Sequence, residues 1–145
     1  MLKRLKKQSI LNGITTALIV LWIYAAGSKL AEIEKFYLSL NLQPFPKFTI
    51  GFLRYAIPYS EIVAAMLLVF PKTKILGLYL SITFLGIFSI YIGLILLNFW
   101  SHIPCNCGGI LESMGWKTHF LFNLSMLMLT IYALALKRKE VTGAT

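Results

Sequence analysis

Charge is what this 145-residue sequence has least of: Asp, Glu, Lys and Arg make up only 13% of it, against 58% hydrophobic residues. A soluble chain with so few charges could not cover its surface with polar groups, so the missing solvent is lipid. The mean hydropathy of +0.76 says the same. Acidic residues are the scarcest, five against fourteen Lys and Arg, for a net charge of +9. The basic residues are not patterned for nucleic acid, and no such partner is expected. They sit in short clusters just outside apolar runs: Lys3, Arg4, Lys6 and Lys7; Lys72 and Lys74; Lys137, Arg138 and Lys139. That is how positive charge fixes orientation in a membrane. Cysteine is scarce too. There are two, with no Cys-x-x-Cys pair, so the usual paired zinc framework is missing. A soluble domain, a low-complexity segment and a clear internal repeat are likewise absent.

Four apolar runs predict transmembrane spans over about residues 10–30, 50–70, 75–100 and 119–136, in a single domain covering 1–145. The basic Met1–Lys7 segment and the small residues Ala25-Ala26-Gly27 imitate a signal peptide, but three further apolar runs follow, so the first run is read as a retained span. Ala31–Pro46 mixes Glu32, Glu34 and Lys35 with Phe36, Tyr37, Leu38 and Leu40. It is too polar to span and reads as a short interfacial helix, ended by Pro44-Phe45-Pro46. The expected fold is therefore all-α, an integral membrane four-helix bundle with a short interfacial helix between helices 1 and 2.

Four spans put both termini on one side. The three basic clusters named above carry nine of the fourteen Lys and Arg; Lys29, Lys35, Lys47, Arg54 and Lys117 belong to the other side. The positive-inside rule then places both termini in the cytoplasm, in a multi-pass protein of the inner (cytoplasmic) membrane. The loop between the last two spans faces outward, where disulfides persist.

That loop reads His102-Ile103-Pro104-Cys105-Asn106-Cys107-Gly108-Gly109 and holds both cysteines. A disulfide across one intervening residue closes a small, strained ring, and strained exposed disulfides are the labile, catalytic kind. Cys105 and Cys107 are therefore candidate redox residues, with His102 placed to stabilise a thiolate. The bland alternative is two unconnected thiols in a turn. A metal reading also stays open, since His102, Cys105 and Cys107, with Met114 or His119, offer ligands for copper(I) or zinc. Glu61 is the other candidate: a carboxylate inside a span marks a proton path, a substrate site or an ion pair. Its pairing candidates are Lys29, at the end of the first span, and Arg54, two turns earlier on its own helix; Lys29 is alternatively free to reach the interface.

Gly27-Ser28-Lys29-Leu30, Pro58-Tyr59-Ser60-Glu61 and Cys105-Asn106-Cys107-Gly108 recur in that order in one superfamily. The chain resembles the small DoxX-like membrane proteins, and more closely their MauE (methylamine utilisation) branch, over roughly Ile10 to Leu136. It departs from the MauE pattern in having Gly109 where an aromatic commonly follows the cysteines. The resemblance implies a four-helix membrane protein working with a thioredoxin-like or other disulfide-containing extracytoplasmic partner. From the DoxX side it implies quinone-coupled redox chemistry. It makes Cys105 and Cys107 the redox pair, and Lys29 and Glu61 the polar residues of the bundle.

The function expected from the sequence is thiol–disulfide exchange at the outer membrane face, with Cys105, Cys107, Glu61 and His102 carrying the chemistry. Quinone is a candidate carrier; no cofactor is specified by apolar side chains alone. Two other classes remain: a non-catalytic accessory subunit of a larger membrane complex, and a copper- or zinc-handling protein.

Overall fold

The computed structural model describes residues 2–99 and 115–142. Five helices account for nearly all of them: α1 (Leu2–Ala31), α2 (Ile33–Asn41), α3 (Lys47–Val69), α4 (Lys74–Leu96) and α5 (Trp116–Thr142). No strand occurs among the described residues. α1, α3, α4 and α5 are each long and apolar enough to cross a membrane. The protein is a multi-pass helical membrane bundle, as its hydropathy predicts.

The packing closes into a ring. α1 lies against α3 and α5, and α4 lies against α5 and α3. Leu11, Leu18, Trp22, Ala64, Leu68, Leu78, Leu85 and Ala133 meet on the axis. Only 28–33% of each spanning window is buried, so most of every helix faces outward. Val20, Ile23, Met66, Leu76, Ile90 and Leu121 stand on those outer faces. Such surface is stable in hydrocarbon, where the backbone is already satisfied within each helix.

Without a hydrophobic drive between helices in lipid, close backbone approach and buried hydrogen bonds carry specificity. Gly77 on α4 supplies the first. A Cβ there would sit 2.9 Å from the Leu68 backbone nitrogen and 3.0 Å from the Leu67 carbonyl carbon. Trp22 supplies the second: its indole Nε1 donates to Ser81 Oγ at 2.9 Å, joining α1 to α4, and its ring meets Phe84 edge-on at 5.7 Å. Thr73 Oγ1 donates to the Leu67 carbonyl at 2.9 Å and satisfies one of the free acceptors at the end of α3.

Element ends differ from the sequence expectation in three places. α1 begins at Leu2, because the basic tail continues the helix of the first span. α4 stops at Leu96, short of the expected end at Trp100. There Asn98 takes the left-handed conformation (φ 56°), Phe99 N–H donates to the Leu94 carbonyl and Asn98 N–H to that of Ile95. These are the two bonds of a Schellman stop, with asparagine where glycine is usual. α5 starts at Trp116 and runs past Leu136 through the basic cluster. The short helix α2 lies where the mixed segment placed it. Its Phe36 and Leu40 pack with Ile50 of α3, and Arg54 of α3 donates to Glu34 of α2.

Candidate functional site

Lys29 lies in the last turn of α1, and Glu61 about one turn beyond Pro58 in α3. Both are buried, at 6% and 2% exposure. Lys29 Nζ donates to Glu61 Oε1 at 2.8 Å and to the Ala25 carbonyl at 3.1 Å. It also stands 5.9 Å from the centre of the Phe36 ring on α2. A cation is favoured in this place because the last turn of a helix presents unpaired carbonyls and the negative end of its dipole. Arg54, the other candidate partner for Glu61, is taken by Glu34 and lies against the rings of Tyr37 and Tyr55.

The pairing leaves capacity unused. Among the described residues, buried Glu61 Oε2 has no hydrogen-bond partner, and neither does Nδ1 of His119, a residue 5% exposed in the first turn of α5. His119 is within electrostatic reach of Lys29. Buried polar atoms without partners are rare, and each calls for an explanation.

These groups line one cavity of about 360 Å³, to which all five helices contribute. Its wall is mostly apolar and aromatic, with Trp22, Phe36, Phe84, Phe88 and Phe122. Lys29, Glu61, His119, Asn123, Ser60 and Gln43 are polar points in it. Tyr91, also in the wall, donates its hydroxyl proton to Gln43 Oε1 and stacks on Phe45 at 5.8 Å. It meets Trp116 edge-on at 6.5 Å, so the α2–α3 loop, α4 and the start of α5 are joined there. The cavity belongs to the end of the bundle where α1 finishes, α4 finishes and α5 begins.

Of the residues singled out in the sequence, the structure brings Lys29 and Glu61 together. Cys105, Cys107 and His102 lie outside the described residues, between α4 and α5 in the chain. His119, the first residue of the expected fourth span, is buried and lines the same cavity as the Lys29–Glu61 pair. Among the described residues no group of three or more His, Cys, Asp or Glu is placed to hold a metal. Asn123 and Tyr91 were not singled out by sequence reasoning. A signal for Asn123 exists in its spacing: it follows His119 by one helical turn, so the two share a face of an otherwise apolar span.

The sequence pattern of the family described as methylamine utilisation protein MauE matches residues 7–136. The chain belongs to the MauE family. The matched stretch includes Lys29, Glu61, His119, Asn123 and both cysteines, so the cavity-lining residues and the Cys105–Cys107 segment all fall within the MauE match. No curated protein and no solved structure matches the chain.

Proposed function

We propose that this MauE-family protein is a membrane thiol–disulfide redox protein, passing electrons between an extracytoplasmic partner and a membrane carrier such as a quinone through Cys105 and Cys107. Its support is one structural observation joined to the order of the chain. Proton-exchanging groups converge on a cavity at the end of the bundle where α4 stops and α5 starts, and the two cysteines lie between those helices in sequence. The wider DoxX-like likeness belongs to this proposal, as do the inner-membrane location, the cytoplasmic termini and the thioredoxin-like character of the partner.

The exchange balances as follows. A partner's two thiols reduce the Cys105–Cys107 disulfide through a mixed disulfide, leaving the partner oxidised and two thiols on this protein. Those thiols then give two electrons and two protons to a quinone, which becomes a quinol as the disulfide re-forms. The reverse sequence reduces the partner at the expense of quinol. His102 assists the thiolate, and Glu61 relays a proton within the bundle.

The test is the thiol state in living cells, trapped by acid and read with a membrane-impermeant, mass-shifting maleimide. The proposal expects an oxidised pair that becomes reduced when quinone is depleted or, in the reverse direction, a reduced pair that becomes oxidised when quinol is depleted. Cys105→Ser and Cys107→Ser should each abolish exchange and leave the bundle folded. Thiols that stay fully reduced under every condition, or unchanged turnover in both variants, overturn it in favour of an accessory subunit.

A further inference from the structure

The proposed function needs a membrane carrier but gives it no seat. The cavity between the helices supplies one, and what it can hold follows from three features.

The first is access. Ile87 lines the cavity, yet it is 59% exposed, midway along α4. The cavity therefore reaches the lipid-facing surface within a span, and an occupant can enter from the bilayer. The second is shape and lining. At about 360 Å³ the space falls inside the range of about 300–1,000 Å³ typical of small-molecule sites, and its walls are apolar and ring-rich, suited to a flat ring with an apolar tail. The third is the polar wall. Lys29 and Glu61 neutralise each other, so among the described residues an anionic lipid or fatty acid finds no free cation in the wall. What is left over is an unpartnered carboxylate oxygen, Glu61 Oε2, and an unpartnered imidazole nitrogen, His119 Nδ1. The first accepts from a hydroxyl. The second donates to a carbonyl in one tautomer and accepts from a hydroxyl in the other.

A neutral, lipid-soluble ring carrying oxygens that are carbonyls when oxidised and hydroxyls when reduced fits all three features. We infer that this cavity is a binding site for a membrane quinone or quinol, its ring oxygens held by Glu61 Oε2 and His119 Nδ1. The inference rests on the proposed function only for the carrier's being membrane-soluble; binding itself needs neither cysteine.

The experiment uses the full chain in nanodiscs of neutral phospholipid, titrated with a short-chain ubiquinone and, separately, a short-chain menaquinone. The readout is quenching of tryptophan fluorescence, since Trp22 lies in the cavity wall. Saturable quenching is expected with at least one of them. His119→Leu, which removes no hydrogen bond seen in the described residues, should weaken it about tenfold, the loss of roughly one hydrogen bond. The Cys105→Ser/Cys107→Ser double variant should bind like the native protein. In that variant, failed exchange with intact binding separates the two proposals. Photolabelling of the native protein with an azidoquinone is a second reading that needs no substitution; adducts are expected on the cavity segments of α1, α4 and α5. Linear, unsaturable quenching by both quinones overturns the inference. So does equal affinity in His119→Leu, competition by oleate alone, or labelling confined to the outer faces.

Discussion

Removing Lys29 should cost this protein more than removing Glu61, although the two form one ion pair. In Lys29→Met the carboxylate of Glu61 stays at a site 2% exposed, and both of its oxygens are then without partners among the described residues, since Oε2 already has none there. Leaving one half of a buried pair uncompensated costs about 3–5 kcal/mol. The lower end is expected here, because a membrane-embedded unfolded state also finds polar partners. In Glu61→Gln, Lys29 keeps the Ala25 carbonyl at 3.1 Å and the negative end of the α1 dipole, and the new amide oxygen still accepts from Nζ. That loss is about 1–2 kcal/mol. The double variant Lys29→Met/Glu61→Met leaves no orphan charge and should be more stable than Lys29→Met alone. As a control, Glu34→Ala breaks the Arg54 pair, but Glu34 is 75% exposed, so less than about 1 kcal/mol is at stake. Denaturation in mixed micelles, followed by the loss of helical circular dichroism, orders the four. The reasoning fails if Glu61→Gln is as damaging as Lys29→Met, or if the double variant is no better than Lys29→Met.

Gly77→Ala should destabilise the α3–α4 contact by about 1–3 kcal/mol, because its methyl would meet backbone atoms that cannot turn aside; the same micelle titration reads it, and a neutral result refutes the close approach. Trp22→Phe should keep the ring contact with Phe84 but lose the hydrogen bond to Ser81, lowering stability by about 1 kcal/mol. Adding Ser81→Ala to Trp22→Phe should then cost little more, since the hydroxyl has already lost its donor.

How far the sequence carries depends on which interactions decide each feature. The four spans are legible because crossing a bilayer is a matter of length and composition, both visible in one dimension. The short helix α2 is legible for a related reason: charges mixed with aromatics cannot cross, and two prolines follow. The end of α4 is not, because hydropathy runs on through Phe99 and Trp100 while the backbone turns left-handed at Asn98. Which cation Glu61 takes is a tertiary decision. Arg54 is near it in sequence, but α2 folds back to offer Glu34, and the α1–α3 contact brings Lys29. His119 and Asn123 are polar residues near the start of an apolar span, and only the lean of α5 against α1 turns them from a water-facing end into a cavity wall.

The placing of the polar residues argues against a purely structural role for them. A buried ion pair replaced by well-packed apolar side chains is often neutral or stabilising, so Lys29 and Glu61 are poor glue for a bundle that Leu, Ala and Gly77 already close. Intramembrane charge is costly wherever it sits, and a fold selected only for packing has no reason to gather it at one place. Among the described residues, Arg54 Nε and Ser89 Oγ are unpartnered outside the cavity, yet most of the buried polar side chains gather inside it. A cation, an anion, an imidazole and an amide come from three helices to one cavity, and two of their atoms are left unpaired. Pairing every atom would have made a better scaffold. Leaving a carboxylate oxygen and a ring nitrogen free beside a ring-lined space makes a worse scaffold, and a visiting molecule that completed those two hydrogen bonds would recover the stability given up.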